Sequence, residues 1–220
     1  MSKMKNISLF PTIVLLLLIQ CSKDLSPTAD ECIDESGNPY FCVDADFIEE
    51  FGAFGIGSLW VYAERRSGEI DSVSSTYYSR KISQSNLDSL YYETISFILS
   101  STANDRLFCY LGTLDSGTKS NFYFTYPISN GLGVAKKNGQ YEGSCLASVL
   151  GLSCDVSVEV VGDMEVNGVT FNDVLKVYGG DTVNPNPIDS LYHARGIGII
   201  RKLYRNGDIY ELIDYHIVSP

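Results

Sequence analysis

Apolar and polar residues alternate with a period of two over much of this chain. In residues 91–100 the apolar side chains of one face are Tyr91, Ile95, Phe97 and Leu99. Residues 155–161 repeat the pattern with Val156, Val158 and Val160. Strict alternation is typical of a strand with one buried face. We therefore expect both segments to be strands with these side chains turned inward.

The same criteria predict further strands at residues 58–64, 69–79, 106–111 and 121–126. No stretch of a dozen residues repeats its apolar positions with the helical period. Residues 46–51 alone suggest one or two helical turns. The pattern therefore predicts an all-β domain.

Asn-Gly dipeptides mark the turns between strands. They occur at Asn130, Asn138, Asn167 and Asn206. Asn-Gly suits type I′ hairpin turns, in which both central residues take positive φ. The pairs at Asn167 and Asn206 lie between apolar runs, so we expect hairpins there. The predicted fold is an antiparallel meander of eight to ten strands, curled or half-open so that its edges are covered.

Two glycines alternate with isoleucines in residues 196–200. Glycine within a strand allows a neighbouring backbone, ring or ligand to approach closely. We expect packing under a ring such as Trp60. We do not expect a phosphate loop, because no helix and no Lys-Ser/Thr pair follows.

Residues 1–20 have the properties of an export signal. Lys3 and Lys5 give the first residues positive charge, and the apolar run at 13–19 is too short to span a bilayer. The run ends at Leu18-Ile19-Gln20-Cys21, which resembles the lipobox of bacterial lipoproteins, although Gly, Ala or Ser is usual where Gln20 stands. The resemblance implies cleavage before Cys21 and acylation of that cysteine. Two or three acyl chains give stable membrane anchorage.

Residues 21–46 are polar, acidic and poor in apolar side chains, so we interpret them as a tether between the lipidated Cys21 and a single β-domain at 47–220. Because Asp does not follow Cys21, the resemblance implies sorting to the outer membrane, on its periplasmic face or at the surface. Removal of the leader changes the net charge from −11 to −13, since it contains Lys3 and Lys5 and no acid. Such acidity argues against nucleic acid as a partner, because phosphate backbones repel it.

Five cysteines remain after Cys21. An exported chain meets an oxidising compartment, so disulfides are expected. Cys32 and Cys42 bracket a turn-rich loop and form the first predicted pair; Cys145 and Cys154 form the second. Cys109 then remains as a buried thiol, or else joins one of the last two.

Three segments resemble a loose group of uncharacterised β-rich bacterial lipoproteins. They are GSLWVY at 57–62, VNGVTFNDVLKV at 166–177, and ARGIGIIRK at 194–202 followed by ELIDY at 211–215. Residues 78–151 do not match. The resemblance implies a curled meander like the open barrels of periplasmic lipoprotein carriers, and it implies nothing about activity.

Catalytic and metal-binding patterns are absent from the sequence. There is no Gly-x-Ser-x-Gly and no Cys-x-x-Cys, and His193 and His216 lie far from every cysteine. The loop at 181–189 is rich in oxygen ligands but lacks the EF-hand spacing. We therefore predict no cofactor, no metal and no enzymatic activity.

Three hypotheses for the domain follow. The first is a non-enzymatic, lipid-anchored binding domain whose ligand is an envelope protein, a glycan or a lipid. The second is a carrier of an apolar ligand, which requires a hollow inside the curled sheet. The third is an envelope hydrolase, which requires His193 or His216 in a cleft beside a nucleophile or a carboxylate.

Replacement of the predicted lipidation site gives the first test. Cys21→Ala should abolish metabolic labelling of the protein by an alkyne fatty acid, because the thiol is the first acceptor of lipid. Ser22→Ala is the control and should label normally. Persistent labelling of Cys21→Ala would refute the lipobox interpretation.

Overall fold

The computed structural model describes residues 31–52, 54–84, 90–102, 106–114, 119–125, 132–137, 139–144, 155–180 and 188–220. These residues form one helix, α1 (Ala45–Phe51), and fourteen strands. The strands are β1 (Glu31–Ile33), β2 (Pro39–Phe41), β3 (Leu59–Glu64), β4 (Ile70–Gln84), β5 (Tyr91–Ser101), β6 (Arg106–Leu114), β7 (Lys119–Thr125), β8 (Leu132–Lys137), β9 (Gln140–Ser144), β10 (Asp155–Val166), β11 (Val169–Gly180), β12 (Ile188–Ala194), β13 (Gly198–Tyr204) and β14 (Ile209–His216).

All the strands belong to one sheet. Its order is β10-β11-β12-β13-β14-β3-β4-β5-β6-β7-β8-β9, with the β1–β2 hairpin attached to β5. The ladders between described strands are antiparallel, except where β2 runs parallel to β5 and Phe41 pairs with Tyr92. The predicted all-β antiparallel meander is confirmed, but the described residues form fourteen strands rather than the eight to ten expected, in part because residues 31–41 also form a hairpin.

The sheet curls until its two end strands approach each other. Gly143 in β9 lies directly against the backbone of Val156 and Ser157 in β10, where even a Cβ atom would collide with the Val156 carbonyl oxygen. No ladder between described residues joins β9 to β10, so the sheet is curled but not closed into a barrel.

The residues that flank α1 cap the helix at both ends and so limit its length. The Asp44 side chain accepts from the backbone N–H of Asp46 at 2.8 Å, and Gly52, with φ of 67°, ends the helix by donating to the Ile48 carbonyl. Phe47 and Phe51 are fully buried. The helix therefore fills the interior of the curled sheet with aromatic rings.

The buried Glu50 carboxylate connects α1 to the end of the sheet formed by β8 and β9. One of its oxygens accepts from the Tyr141 hydroxyl, and the other lies 3.0 Å from the Lys136 ammonium. Burial, together with this hydrogen bond, raises the pKa of Tyr141 to about 12. Lys136 compensates the buried carboxylate, as a buried charge requires.

Aromatic side chains of β3 fill the space where β13 separates from β14. Trp60 donates from its indole nitrogen to the Ile197 carbonyl at 2.7 Å, and Tyr62 donates to the Ile199 carbonyl at 2.8 Å. A Cβ atom at Gly198 would lie 3.0 Å from the Phe54 ring and 3.4 Å from the Trp60 indole nitrogen. The predicted packing of a glycine under Trp60 is confirmed.

One row of side chains crosses five neighbouring strands. Glu159, Lys176, Tyr192, Arg201 and Glu211 are successive register partners from β10 to β14. The Tyr192 ring lies between two cations, 5.9 Å from the Lys176 ammonium and 5.5 Å from the Arg201 guanidinium. Opposite charges in direct cross-strand positions stabilise this register.

A buried ion pair joins β4 to β13. The Lys202 ammonium lies 2.6 Å from Asp71, whose other carboxylate oxygen accepts from the Ser101 hydroxyl at 2.5 Å. The ammonium also lies 3.9 Å from the centre of the Tyr62 ring. Burial lowers the pKa of Lys202, and the negative charge of Asp71 opposes this shift.

All the predicted strands occur, but the burial of some of their side chains differs from the prediction. Ile95, Phe97 and Leu99 are buried as predicted, but Tyr91 is exposed. Val160 was expected to point inward and is 66% exposed, because β10 is an end strand with bulges on either side of Gly162.

Both predicted Asn-Gly hairpins are present. Asn167 and Gly168 both have positive φ, as a type I′ turn requires. At the second hairpin only Gly207 has positive φ, so that turn is not type I′. The pairs at Asn130 and Asn138 lie wholly or partly outside the described residues.

The folded part of the chain begins earlier than the predicted boundary at residue 47. Residues 31–41 form the β1–β2 hairpin, and the backbone N–H of the buried Val43 donates to Glu93 at 3.0 Å. This segment was predicted to be tether because its side chains are mostly polar. It is held instead by backbone pairing and by the disulfide between Cys32 and Cys42, whose Cα atoms are 5.8 Å apart.

No helix in the part of the chain that the structure describes is long and apolar enough to cross a membrane.

Breaking the buried ion pair should destabilise the fold. Lys202→Met leaves the Asp71 carboxylate buried without its cation, so we expect a loss of about 3–5 kcal/mol in the free energy of unfolding. Lys176→Met, which breaks a partly exposed pair with Glu159, should cost less than about 1 kcal/mol. Urea unfolding followed by tryptophan fluorescence measures both, and equal losses would contradict this assignment.

Candidate ligand-binding notch

A notch in the sheet arises because one hairpin is shorter than the strands beside it. The β12–β13 hairpin turns at residues 195–197, and β11 pairs with β12 only from Val174 onward. Residues 169–173 of β11 therefore continue past the hairpin. On the other side, the β13–β14 ladder ends at Glu211, while β14 continues to His216. The notch is the space left between these two longer strands.

The notch has the size of a small-ligand site. It encloses about 420 Å³ and is lined by Glu49, residues 169–173, residues 195–197 and Tyr215. This volume lies within the range of roughly 300–1,000 Å³ that is typical of ligand pockets. Apolar groups of Val169, Ile197 and Tyr215 share the lining with carboxylate, amide, hydroxyl and guanidinium groups. The notch therefore suits an amphipathic ligand.

Helix α1 fixes the turn at the base of the notch. The backbone N–H of Gly196 donates to the Glu50 carbonyl at 3.1 Å, and the Arg195 guanidinium lies 3.3 Å from the Glu49 carboxylate. The negative charge of Glu49 raises the pKa of Arg195. The same helix thus fills the interior with one face and positions the notch with the other.

The β11 wall of the notch contains an irregular residue. Asp173 has a φ of 51°, a left-handed conformation that is uncommon for residues other than glycine. The β10–β11 register shows the cause, since Gly162 pairs with Val174 and Met164 pairs with Phe171. Two residues, Asn172 and Asp173, therefore face a single residue of β10, which is a β-bulge. Such bulges redirect side chains, and this one lies at the notch.

The β14 wall carries exposed aromatic and backbone groups. Tyr215 is 42% exposed, and the neighbouring Ile213 is exposed as well. The Leu212 carbonyl accepts from the Asn167 side-chain amide at 2.9 Å, and the Tyr215 backbone N–H donates to the Asp214 carboxylate at 2.9 Å. Side chains thus satisfy two backbone groups of this strand.

The apolar space at the centre of the sheet is far smaller than the notch. It lies among Phe54, Trp60, Tyr62 and Lys202 and has a volume of about 10 Å³, enough for one water molecule. This space is too small for an acyl chain, because α1 and the β3 aromatics fill the interior.

Neither histidine lines the notch. His193 is 2% exposed, and its ring lies 4.9 Å from that of Phe51. Burial lowers the pKa of His193 to about 4, although a hydrogen bond with the Phe51 backbone opposes this shift. His216 is exposed at the end of β14. His193 therefore packs the helix against β12.

The other predicted site residues fall in different places. Cys21, Cys145 and Cys154 lie outside the described residues, as does most of the loop at 181–189. Cys109 lies in β6, where its backbone pairs with Phe97 and Phe124. No group of three His, Cys, Asp or Glu side chains suited to a metal ion occurs among the described residues.

Sequence reasoning did not identify the notch as a site. Its lining nevertheless comes largely from the segments at 166–177, 194–202 and 211–215, which carry the resemblance to β-rich lipoproteins. The feature that could have indicated the notch is the shortness of the β12–β13 hairpin, which turns back before the neighbouring strand β11 ends.

The chain matches no protein-family model, no curated protein and no solved structure. The fold and the notch therefore define only a structural class, a curled antiparallel sheet filled by a short helix and notched at one hairpin. The resemblance to β-rich lipoproteins stays a prediction.

His193 should make stability depend on pH. Its pKa is about 4 in the folded state, against a usual 6.5, so the unfolded state binds a proton first as the pH falls. Stability should decrease by about 3 kcal/mol in total between pH 6.5 and pH 4 from this group alone. His193→Gln should reduce this slope in urea unfolding, and His216→Gln should not. An unchanged slope in His193→Gln would contradict the assignment.

Proposed function

We propose that this protein is a lipid-anchored protein of the bacterial outer envelope whose β-domain binds a ligand in the notch without chemical turnover. The single observation that supports this most is the notch itself, a space of about 420 Å³ with a mixed lining, built where two strands run past a shorter hairpin. The anchor rests on the leader and on Cys21.

The ionisable groups of the notch favour binding over catalysis. Glu49 and Arg195 engage each other, and Asp173 and Tyr215 lie on opposite strands. General acid–base catalysis needs a group whose pKa is adjusted towards the working pH. Paired charges and an aromatic ring instead suit recognition of a polar ligand with an apolar face.

The two alternatives receive less support. A carrier of a lipid or another apolar ligand needs a larger hollow than the central space of about 10 Å³ described above. A hydrolase that used His193 would need that ring in a cleft, and it is buried against Phe51. Binding at the notch is therefore the function that the geometry supports best.

Replacing Tyr215, the exposed aromatic residue of the notch, tests this proposal. Two-dimensional NMR of the full-length protein in detergent micelles, titrated with a library of small amphipathic fragments, should show shift changes concentrated at residues 169–173 and 195–197. Tyr215→Ser should weaken the tightest fragment about tenfold, because a lost aromatic contact costs roughly 1.4 kcal/mol.

Tyr77→Ser is the matched control, since Tyr77 on β4 is 41% exposed, nearly the same as Tyr215. It should leave fragment affinity unchanged. Shift changes that concentrate away from the notch, or equal effects of the two substitutions, would overturn the proposal.

A further inference from the structure

The backbone at the notch points to a particular class of ligand. We infer that the notch receives an extended peptide segment of another protein, which adds to β14 as a strand and places a basic side chain near Asp173. This inference rests on the proposed function, namely that the notch is the binding site.

The edge of β14 at the notch is the first feature that points to a peptide. Between Leu212 and His216, β14 pairs with β3 on one side, whereas no described strand pairs with it on the other. A strand edge without a partner presents backbone N–H and C=O groups that can bind another extended chain. Recognition by strand addition uses such an edge.

Side chains, rather than a strand, bind two backbone groups of this edge. Asn167 donates to the Leu212 carbonyl, and Asp214 accepts from the Tyr215 N–H, both at 2.9 Å. An added peptide strand would displace these two side chains from the backbone of β14. A peptide backbone would offer the same kinds of donor and acceptor, in the alternating order that a strand requires.

The notch also leaves room for a strand beside β14. It lies where β12 and β13 no longer separate β11 from β14, and an added strand would lie about 4.8 Å from β14. Val169 and Ile213, both exposed, offer apolar contacts to alternate side chains of such a strand.

The charge of the notch favours a basic side chain in the peptide. Asp173 lines the notch, and no ion pair or hydrogen bond of its carboxylate is found among the described residues. The only guanidinium that lines the notch, that of Arg195, is already engaged by Glu49. The chain as a whole has a net charge of −11. A lysine or arginine in the peptide complements this surface.

An oligosaccharide would use the same notch differently. It would stack on Tyr215 and bind the polar side chains, but it would have no need of the backbone edge of β14. The distinguishing property is therefore the dependence of binding on backbone hydrogen bonds.

Peptide selection against the full-length protein in detergent tests the inference. A phage library of random decapeptides is selected on the wild type, and peptides that also bind Val169→Lys/Ile213→Lys are removed. Val160→Lys is the matched control, because Val160 is exposed on β10, which is not beside β14 in the sheet, and does not line the notch. Thermal unfolding verifies that each variant is folded.

We expect enriched decapeptides with alternating apolar residues and at least one Lys or Arg. They should bind the wild type and Val160→Lys equally, and Asp173→Asn at least tenfold more weakly. Synthetic peptides N-methylated at alternate positions provide the decisive measurement. One of the two methylation patterns should abolish binding and the other should not, and bound peptide should slow amide hydrogen exchange at residues 213–216.

Other outcomes separate this inference from the proposed function. Equal binding of both methylated forms, or no enriched peptide while an oligosaccharide array binds in a manner sensitive to Val169→Lys/Ile213→Lys, overturns the peptide inference and leaves the notch as a binding site. If peptides, oligosaccharides and fragments all fail to bind at the notch, both proposals are overturned.

Discussion

The burial of one short helix inside the curled sheet is the constraint on which the rest of this structure depends. A sheet that curls must fill its inner side, and α1 does so with Phe47 and Phe51, both fully buried. The Glu50 side chain bonds to Lys136 and Tyr141 at one end of the sheet, and its carbonyl accepts from Gly196 at the β12–β13 turn. Seven residues thus connect strands far apart in the sheet order.

The position of the notch follows from this arrangement. Because α1 holds the β12–β13 turn, the hairpin ends where the helix lies, while β11 and β14 continue past it. The aromatic side chains of β3 replace part of the missing ladder by donating to the Ile197 and Ile199 carbonyls. The same packing that leaves only about 10 Å³ among Phe54, Trp60, Tyr62 and Lys202 therefore leaves the notch at the outside of the sheet.

Much of the fold could be predicted because it rests on local signals. The alternation of apolar and polar residues located the strands. The dipeptide Asn167-Gly168 predicted its hairpin, because few other residue pairs accept two positive φ values. Prediction was wrong where long-range contacts decide. Val160 alternates like an inward residue but lies on an end strand. Residues 31–41 are polar like a tether, yet backbone pairing and a disulfide hold them to β5.

The sequence by itself determined the all-β class, the hairpin at Asn167, the disulfide of Cys32 with Cys42 and the expectation of a lipid on Cys21, because each depends on residues close together in the chain. Only the tertiary structure decided that Glu49, Asp173, Arg195 and Tyr215 line one notch, since they come from α1, β11, a hairpin turn and β14. It also decided that His193 is a core residue. Burial and strand length relative to neighbours are properties of the assembled sheet, and no local pattern encodes them.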